Sequence, residues 1–352
     1  MDVVTSFLYG VLDEEIFMRQ LPSFARKGQE SLVCRLLKSL YGLKQSPRQW
    51  NKRFDEFMKS QGFTRSVEDP CVYLKRVNNE VFGLVILVLY VDDMLIAAKD
   101  KSEVEKVKTQ LSTEFSMKDL GPAKHILGME IHRDVKGGRL WLTQGNYARK
   151  VLERFNMLDA KPVGTPLANH FKHQLSAKFC PLDAMEKGLM SKISYESAVG
   201  SLMYLMVCTR PDIAYALGKV SKYNVNPGKV HWEVVKWILR YIKGTMGYGL
   251  LFDAHSHQAK TLVGFVELRL CTRFGHKSAL YLAANQVMSS KIKHIDVKYH
   301  FIKQVVSKGK VKVQKVAGTV NPADGFTKYI PLESFSSHRA KLQILPMDEE
   351  EN

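Results

Sequence analysis

The sequence predicts an α+β protein, in which an antiparallel sheet packs against helices. In the stretch from Val81 to Ala98, Val, Leu, Ile and Tyr lie on either side of two acidic residues, which predicts a strand, a tight turn and a second strand. From Lys229 to Lys243, apolar residues recur at helical spacing. The 352 residues suit two or three domains, because a single hydrophobic core stops growing near about 250 to 300 residues.

The predicted helix is amphipathic. Its apolar face comprises Val230, Val234, Trp237, Ile238, Tyr241 and Ile242, and its other face carries Lys229, Lys236, Arg240 and Lys243 beside Glu233. A basic stripe of this kind can follow a nucleic-acid backbone, but a solvated helix face has the same pattern. The sequence leaves both interpretations open.

Charge and cysteine content narrow the class of protein. The formal net charge is +17, and residues 255–346 hold 15 Lys and Arg against 4 Asp and Glu. A polyanion is the natural partner of such a surface, although a basic surface alone is also compatible with binding to a membrane or an acidic protein. The five cysteines are scattered and never form C-x-x-C, so neither a disulfide framework nor a zinc site is predicted. We expect an intracellular protein, in the cytoplasm or the nucleus, without secretion signal or membrane span.

Asp92 and Asp93 are adjacent like charges in an otherwise apolar stretch. A turn can bring both side chains toward one point, where they repel each other unless a divalent cation neutralises them. Mg²⁺ commonly binds through one or two carboxylates and substrate phosphates. The alternative is that the two aspartates serve only as turn residues.

Several segments resemble motifs of one protein family, in the same order along the chain. The stretch around Asp92 and Asp93, "LYVDDMLIAA", resembles the Tyr-x-Asp-Asp hairpin of reverse transcriptases. Three other segments resemble further polymerase motifs: "MDVVTSFLYGVL", "SLYGLKQSPRQW" and "FSMKDLGPAKHILGMEIHRD". The segment "AVGSLMYLMVCTRPDIAYALGKVSKY" is similar to the region between polymerase and RNase H. The chain therefore resembles the Pol polyproteins of copia-type LTR retrotransposons.

This resemblance implies a domain order. Residues 1–150 would form a truncated reverse-transcriptase palm, and residues 151–254 a helical thumb or connection region. Independently of the resemblance, the three prolines and the few periodic apolar residues of 160–194 predict a linker there. Residues 255–346 would be a partial, degenerate RNase H-like α/β remnant, followed by the acidic tail 347–352. The chain begins one residue before Asp2, so we expect the fingers subdomain to be missing and primer extension by this chain alone to be undetectable.

The resemblance also implies the active-site residues. Asp2, Asp92 and Asp93 would be the catalytic ligands of Mg²⁺ or Mn²⁺ in a two-metal nucleotidyl transfer. Phe7 would be a steric gate against ribonucleotides, although its spacing alone favours a core aromatic. The remaining residues implied to bind nucleotide or template are Tyr41, Gly42, Lys44, Gln45, Arg48, Tyr90 and Lys118. The implied partners are an RNA template, a DNA primer and deoxynucleotides. The oligomeric state is not predicted.

The RNase H-like region departs from the family pattern. Glu267 stands where the family has its first metal-binding aspartate, Gly275 stands at another aspartate position, and Asp324 alone still matches. The helix that carries the catalytic glutamate is missing, so we expect no RNase H activity. His294, Asp296 and His300 are metal-ligand types, but a packed segment is the preferred interpretation.

The rival hypothesis for the whole chain is a catalytically dead nucleic-acid-binding remnant, and a third is a gene relic whose product does not accumulate.

Overall fold

The structure is a computed structural model that describes residues 1–21, 24, 28–29, 31–77, 83–256, 263–265, 308–309, 311–312, 314 and 316–347. The chain divides into two compact units, Met1–Ala123 and Lys124–Asn352. Glu267, Gly275, His294, Asp296 and His300 lie outside the described residues, as do residues 348–352. Within the described part, no helix combines the length and the apolar character needed to cross a membrane.

The first unit is built on a six-stranded antiparallel sheet. Its strands are β1 (Asp2–Val3), β4 (Thr64–Arg65), β5 (Val72–Arg76), β6 (Leu84–Tyr90), β7 (Asp93–Ala97) and β8 (Met117–Lys118). Their order in the sheet is β4-β5-β6-β7-β1-β8. A separate hairpin consists of β2 (Val11–Arg19) and β3 (Val33–Lys38). The predicted strand, turn and strand are confirmed as β6, a two-residue turn and β7.

Two helices cover one face of the six-stranded sheet. Helix α1 (Ser46–Ser60) contributes Trp50 and Phe54 to the core, and α2 (Lys101–Glu114) contributes Leu111. In β6 the residues Val85, Leu87 and Leu89 are buried, and the residues between them are more exposed. This alternation is expected for a strand with one covered face. The other face of the sheet is therefore available for a site.

The second unit combines a five-stranded antiparallel sheet with helices. The strands are β9 (His125–Ile126), β10 (Met129–Asp134), β11 (Arg139–Thr143), β12 (Tyr248–Asp253) and β13 (Ile344–Pro346), in the order β13-β12-β11-β10-β9. The helices are α3 (Gly145–Arg154), α4 (Ala184–Met190), α5 (Tyr195–Cys208), α6 (Ala214–Val220), α7 (Lys229–Gly244), α8 (Asp324–Thr327) and α9 (Leu332–Lys341). Short 3-10 helices cover Ser6–Tyr9, Asn169–His173, Ala177–Phe179, Pro211–Ile213, Ser221–Tyr223 and Gly318–Val320.

The amphipathic helix predicted at residues 229–243 is confirmed as α7. Val234 and Ile238 are fully buried on its apolar face. On its basic face, the Arg240 Nε donates to the Lys161 carbonyl at 2.6 Å. Lys236 forms an ion pair with Glu233 at 2.7 Å. Two of the four stripe cations therefore already have partners within the chain.

The segment predicted as a linker, residues 160–194, packs on these helices. Leu167 and Phe171 belong to the same buried cluster as Ile238. The Trp237 indole Nε1 donates to the Thr165 carbonyl at 2.9 Å. The three prolines of this segment break regular structure, and Leu167 and Phe171, which lie between them, still bury their side chains. It follows that sparse periodicity was a poor guide to burial in this segment.

Candidate active site

The two adjacent aspartates lie at the tip of the β6–β7 hairpin. Tyr90 pairs with Asp93, which leaves Val91 and Asp92 as the two turn residues. Val91 has φ of +57°, a left-handed conformation that is unusual for a β-branched residue. The turn therefore carries local backbone strain at the residue that separates Tyr90 from Asp92.

Strand register brings four predicted site residues into one row. Asp93 lies opposite Tyr90 on one side and opposite Asp2 on the other, and Asp2 also lies opposite Lys118. The neighbours Val3, Leu89 and Met94 are buried toward the helices. Because side chains alternate between faces, Tyr90, Asp93, Asp2 and Lys118 share the face that the helices do not cover. Directly opposed residues have Cβ atoms about 4.5 to 5.5 Å apart.

The electrostatics of this row favour a cation. Burial raises the pKa of Asp93 above its ordinary value, and the nearby Asp92 and Asp2 carboxylates raise it further. The negative charge is therefore incompletely compensated, and the oxygen ligands are of the type that Mg²⁺ and Mn²⁺ prefer. Among the described residues, however, no group of three or more His, Cys, Asp or Glu side chains is arranged to hold a metal ion. The residue types and backbone positions fit a metal pair, and the side chains do not converge on a single ligand position.

Two contacts from outside the hairpin hold its turn. The Trp50 indole Nε1 of α1 donates to the Val91 carbonyl at 2.5 Å. The backbone N–H of Val3 donates to the Asp92 carbonyl at 3.1 Å. Trp50 is only 1% exposed, so its donor has a fixed position. Sequence reasoning missed this role, because a tryptophan in a helix gives no signal of a partner 41 residues away.

Phe7 and Tyr41 form an aromatic pair near the start of the chain. Their ring centroids lie 4.7 Å apart, with the planes tilted by 50°. Phe7 lies in a 3-10 helix and is partly buried, whereas Tyr41 is 56% exposed. Gly42, the next residue, has φ of +96°, a conformation that strongly favours glycine. The glycine therefore fixes the turn that presents Tyr41.

The other predicted nucleotide or template contacts lie around the start of α1. Lys44 and Arg48 are exposed. The Gln45 side-chain amide donates to Glu14 of β2 at 3.0 Å. Gln45 is therefore engaged with β2 in this structure, while the two cations face solvent.

Asp324, the residue that matches the RNase H cluster, has a partner. It is 6% exposed, and its Oδ2 lies 2.7 Å from the Lys328 Nζ one helical turn later. Glu267 lies outside the described residues. The structure therefore brings no second predicted RNase H ligand to Asp324 among the residues that it describes.

Comparison with known proteins agrees with these features. The family of reverse transcriptases (RNA-dependent DNA polymerases) matches residues 1–169. The chain is 44% identical to the "Retrovirus-related Pol polyprotein from transposon TNT 1-94" of Nicotiana tabacum, over 95% of this chain and 30% of the relative. It is 31% identical to the corresponding polyprotein from transposon RE2 of Arabidopsis thaliana, over 98% of this chain and 27% of the relative.

A shorter relative matches as well. The chain is 31% identical to the "Putative transposon Ty5-1 protein YCL074W" of Saccharomyces cerevisiae, over 74% of this chain and 81% of that protein. The chain spans less than a third of the length of the two plant polyproteins. No solved structure matches it.

Proposed function

Since the chain belongs to the copia-type retrotransposon Pol polyproteins and contains their reverse transcriptase domain, we propose that it carries the palm of an RNA-directed DNA polymerase. The observation that supports this most is the row Tyr90, Asp93, Asp2 and Lys118 on the uncovered sheet face, with Asp92 in the adjoining turn. An RNA template, a DNA primer and deoxynucleotides would be its substrates.

The three aspartates would hold two Mg²⁺ ions, or Mn²⁺ in their place. When bound, such a pair activates the primer 3′-hydroxyl and holds the triphosphate in line for displacement. Asp2 and Asp93 would supply ligands from neighbouring strands and Asp92 from the turn. Strand placement suits this role, because phosphoryl transfer depends mainly on fixed geometry.

The surrounding residues would bind and select the nucleotide. Phe7, braced by the Tyr41 ring at 4.7 Å, would occupy the space that a ribose 2′-hydroxyl needs. Lys118 at one end of the row would attract the triphosphate, and Tyr90 at the other end would contact the primer–template. Gly42, Lys44, Gln45 and Arg48 would line the template side, once Gln45 exchanges its contact with Glu14.

We further propose that residues 151–254 act as thumb or connection and that the RNase H centre is incomplete. The alignment to the Nicotiana tabacum relative spans 400 positions, more than the 352 residues of the chain, so the relative has residues that this chain lacks. This agrees with the segment that is missing before Gly275, and the Asp324–Lys328 ion pair also argues against a free ligand. Cleavage of the RNA strand of a hybrid, abolished by Asp324→Asn, would contradict this.

A chimera tests the polymerase proposal. Residues 1–352 replace the equivalent part of the Nicotiana tabacum Pol polyprotein, and primer extension on an RNA template is measured with Mg²⁺ or Mn²⁺. We expect metal-dependent extension that Asp92→Asn and Asp93→Asn abolish. Arg48→Gln, which leaves the three carboxylates unchanged, should weaken template binding without abolishing extension.

The second candidate function is a nucleic-acid-binding remnant without catalysis. The formal net charge of +17 suits it, because binding to phosphates does not require a catalytic centre. In that case the folded chimera would bind primer–template, with affinity that falls steeply as salt rises, and would incorporate no nucleotide with either metal. Extension that is unaffected by the aspartate substitutions would contradict both candidates.

A further inference from the structure

The segment Gly318–Pro346, near the end of the described residues, completes the sheet of the second unit. β13 pairs antiparallel with β12, with Leu250 opposite Ile344. Backbone hydrogen bonds continue on both sides, from Leu251 N to Gln343 O at 2.8 Å and from Met347 N to Gly247 O at 2.9 Å. Ile344 is fully buried. β13 is thus an integral edge strand.

Helix α9 of the same segment inserts into the helical core. Phe335 is 6% exposed and meets the Tyr241 ring of α7 edge to face, with centroids 5.7 Å apart. Leu332 packs against Gly164, where a Cβ would lie 2.8 Å from the leucine Cδ1. A side chain at position 164 would therefore require the Leu332 side chain to shift.

A buried polar network joins α9 to α7 and β12. Arg210 donates to both Asp212 carboxylate oxygens, at 3.0 and 2.8 Å, and both side chains are almost fully buried. The Tyr241 hydroxyl donates to Asp212 at 2.5 Å. Arg339 of α9 donates to the Tyr241 hydroxyl at 3.1 Å and to the Tyr248 hydroxyl at 3.3 Å. The Arg339 guanidinium also lies 4.3 Å from the centre of the Tyr248 ring.

These contacts indicate that the segment belongs with the helices of residues 151–254. Strand pairing joins Gly318–Pro346 to β12, and the buried Phe335 ring joins it to α7. The hydrogen bond from Arg339 to Tyr241 connects it to the network around the Arg210–Asp212 pair. Asp324, despite its resemblance to a metal ligand, is engaged inside the segment through Lys328.

We propose that Gly318–Pro346 is a strap: a structural part of the second unit that binds the surface of α7, β12 and the Arg210–Asp212 pair without needing its covalent link to residues before it. This proposal differs from the expectation that residues 255–346 form a separate RNase H-like remnant. Arg339 fixes the position of the strap, because its planar guanidinium donates hydrogen bonds to tyrosines on two different elements.

The test cuts the intact, folded chain. A site for a specific protease is inserted between Lys308 and Gly309, the full chain is purified and cleaved, and the association of the two pieces is followed by native mass spectrometry on dilution. We expect the C-terminal piece to remain bound after cleavage. Arg339→Gln should weaken its retention at least tenfold, and Arg154→Gln on the exposed side of α3 should not change it.

Hydrogen exchange supplies a second readout. Amides of Tyr248–Asp253 should be as protected in the cleaved wild-type complex as in the uncut chain, and should lose protection when the C-terminal piece is removed. Release of that piece from the wild type on cleavage, while the larger piece keeps its circular dichroism spectrum, would overturn the proposal. Equal retention in Arg339→Gln and Arg154→Gln would overturn the role given to Arg339.

Discussion

Replacing Trp50 by phenylalanine removes the indole donor that fixes the aspartate turn and keeps an aromatic ring in the core. The lost hydrogen bond joins the Trp50 Nε1 to the Val91 carbonyl at 2.5 Å. The ring contacts to Phe54 and Phe115, at 5.4 and 5.2 Å between centroids, can be largely kept. One net hydrogen bond and a small cavity together cost about 1 to 3 kcal/mol of unfolding free energy.

The effect on catalysis should exceed the effect on folding. Asp92 belongs to the same turn, and a misplacement of about 1 Å in a phosphoryl-transfer site costs on the order of a hundredfold in rate. We therefore expect primer extension by the chimera to fall roughly ten- to a hundredfold in Trp50→Phe, while most molecules stay folded.

A matched control variant separates an effect on the position of the aspartate turn from an effect on the stability of the protein. The Trp237 Nε1 donates to the Thr165 carbonyl at 2.9 Å, so Trp237→Phe makes the same chemical change in the unit that does not contain the aspartates. Extension is measured beside urea unfolding and hydrogen exchange of peptides from residues 1–123. If both variants extend primers within a factor of two of each other, and Trp50→Phe is folded, the positioning role of Trp50 is refuted.

Four further changes have defined outcomes. Ser6 is fully buried and its hydroxyl has no hydrogen-bond partner among the described residues, so Ser6→Ala should raise the unfolding free energy by about 1 kcal/mol in urea titration. Phe7→Val should reduce discrimination against ribonucleotides roughly tenfold or more in single-nucleotide incorporation by the chimera. Asp212→Asn should destabilise the second unit by about 3 to 5 kcal/mol at pH 7, measured by urea unfolding. Asp93→Asn should instead stabilise the metal-free first unit at pH 7, by about 0.5 to 1 kcal/mol, and have little effect at pH 3.

The parts of the fold that follow a local period were predictable from sequence. The β6–β7 hairpin and helix α7 were found because apolar residues recur with the strand or the helical period over one continuous stretch. The place of Asp2 needed the family resemblance. β1 has only two residues, so no periodicity marks it, and its position depends on pairing with β7 and β8 about a hundred residues later.

Contacts that depend on tertiary packing could not be predicted in this way. The Trp50–Val91 hydrogen bond and the Arg339–Tyr241 hydrogen bond join residues that are distant in sequence. Phe171 lies in a segment with no clear period, yet its side chain is buried. In each case the partner is selected by three-dimensional packing of several elements.

Asp93 of the site responds to pH in the opposite direction to Asp212 and Asp119. Burial, and then Asp92 and Asp2, raise the pKa of Asp93, so the native state holds its proton more tightly than the unfolded chain, and stability falls as pH rises from 3.8 through the native pKa. For Asp212, burial opposes ionisation, but the Arg210 guanidinium, the Tyr241 hydroxyl and Arg339 together outweigh burial and lower the pKa. For Asp119, hydrogen bonds from Gly121 N–H and from Lys108 lower the pKa.

Asp212 and Asp119 therefore contribute stability that is present above pH 3.8 and is lost as pH falls through their lowered native pKa values. Asp119→Asn should accordingly weaken the first unit at neutral pH, where Asp93→Asn strengthens it. A cation bound to the native carboxylates would relieve the unfavourable charge of Asp93, because a ligand that binds only the folded state stabilises it by mass action. Mn²⁺ should thus raise the melting temperature of the wild type more than that of Asp93→Asn, and an equal rise in both would show that the ion binds elsewhere.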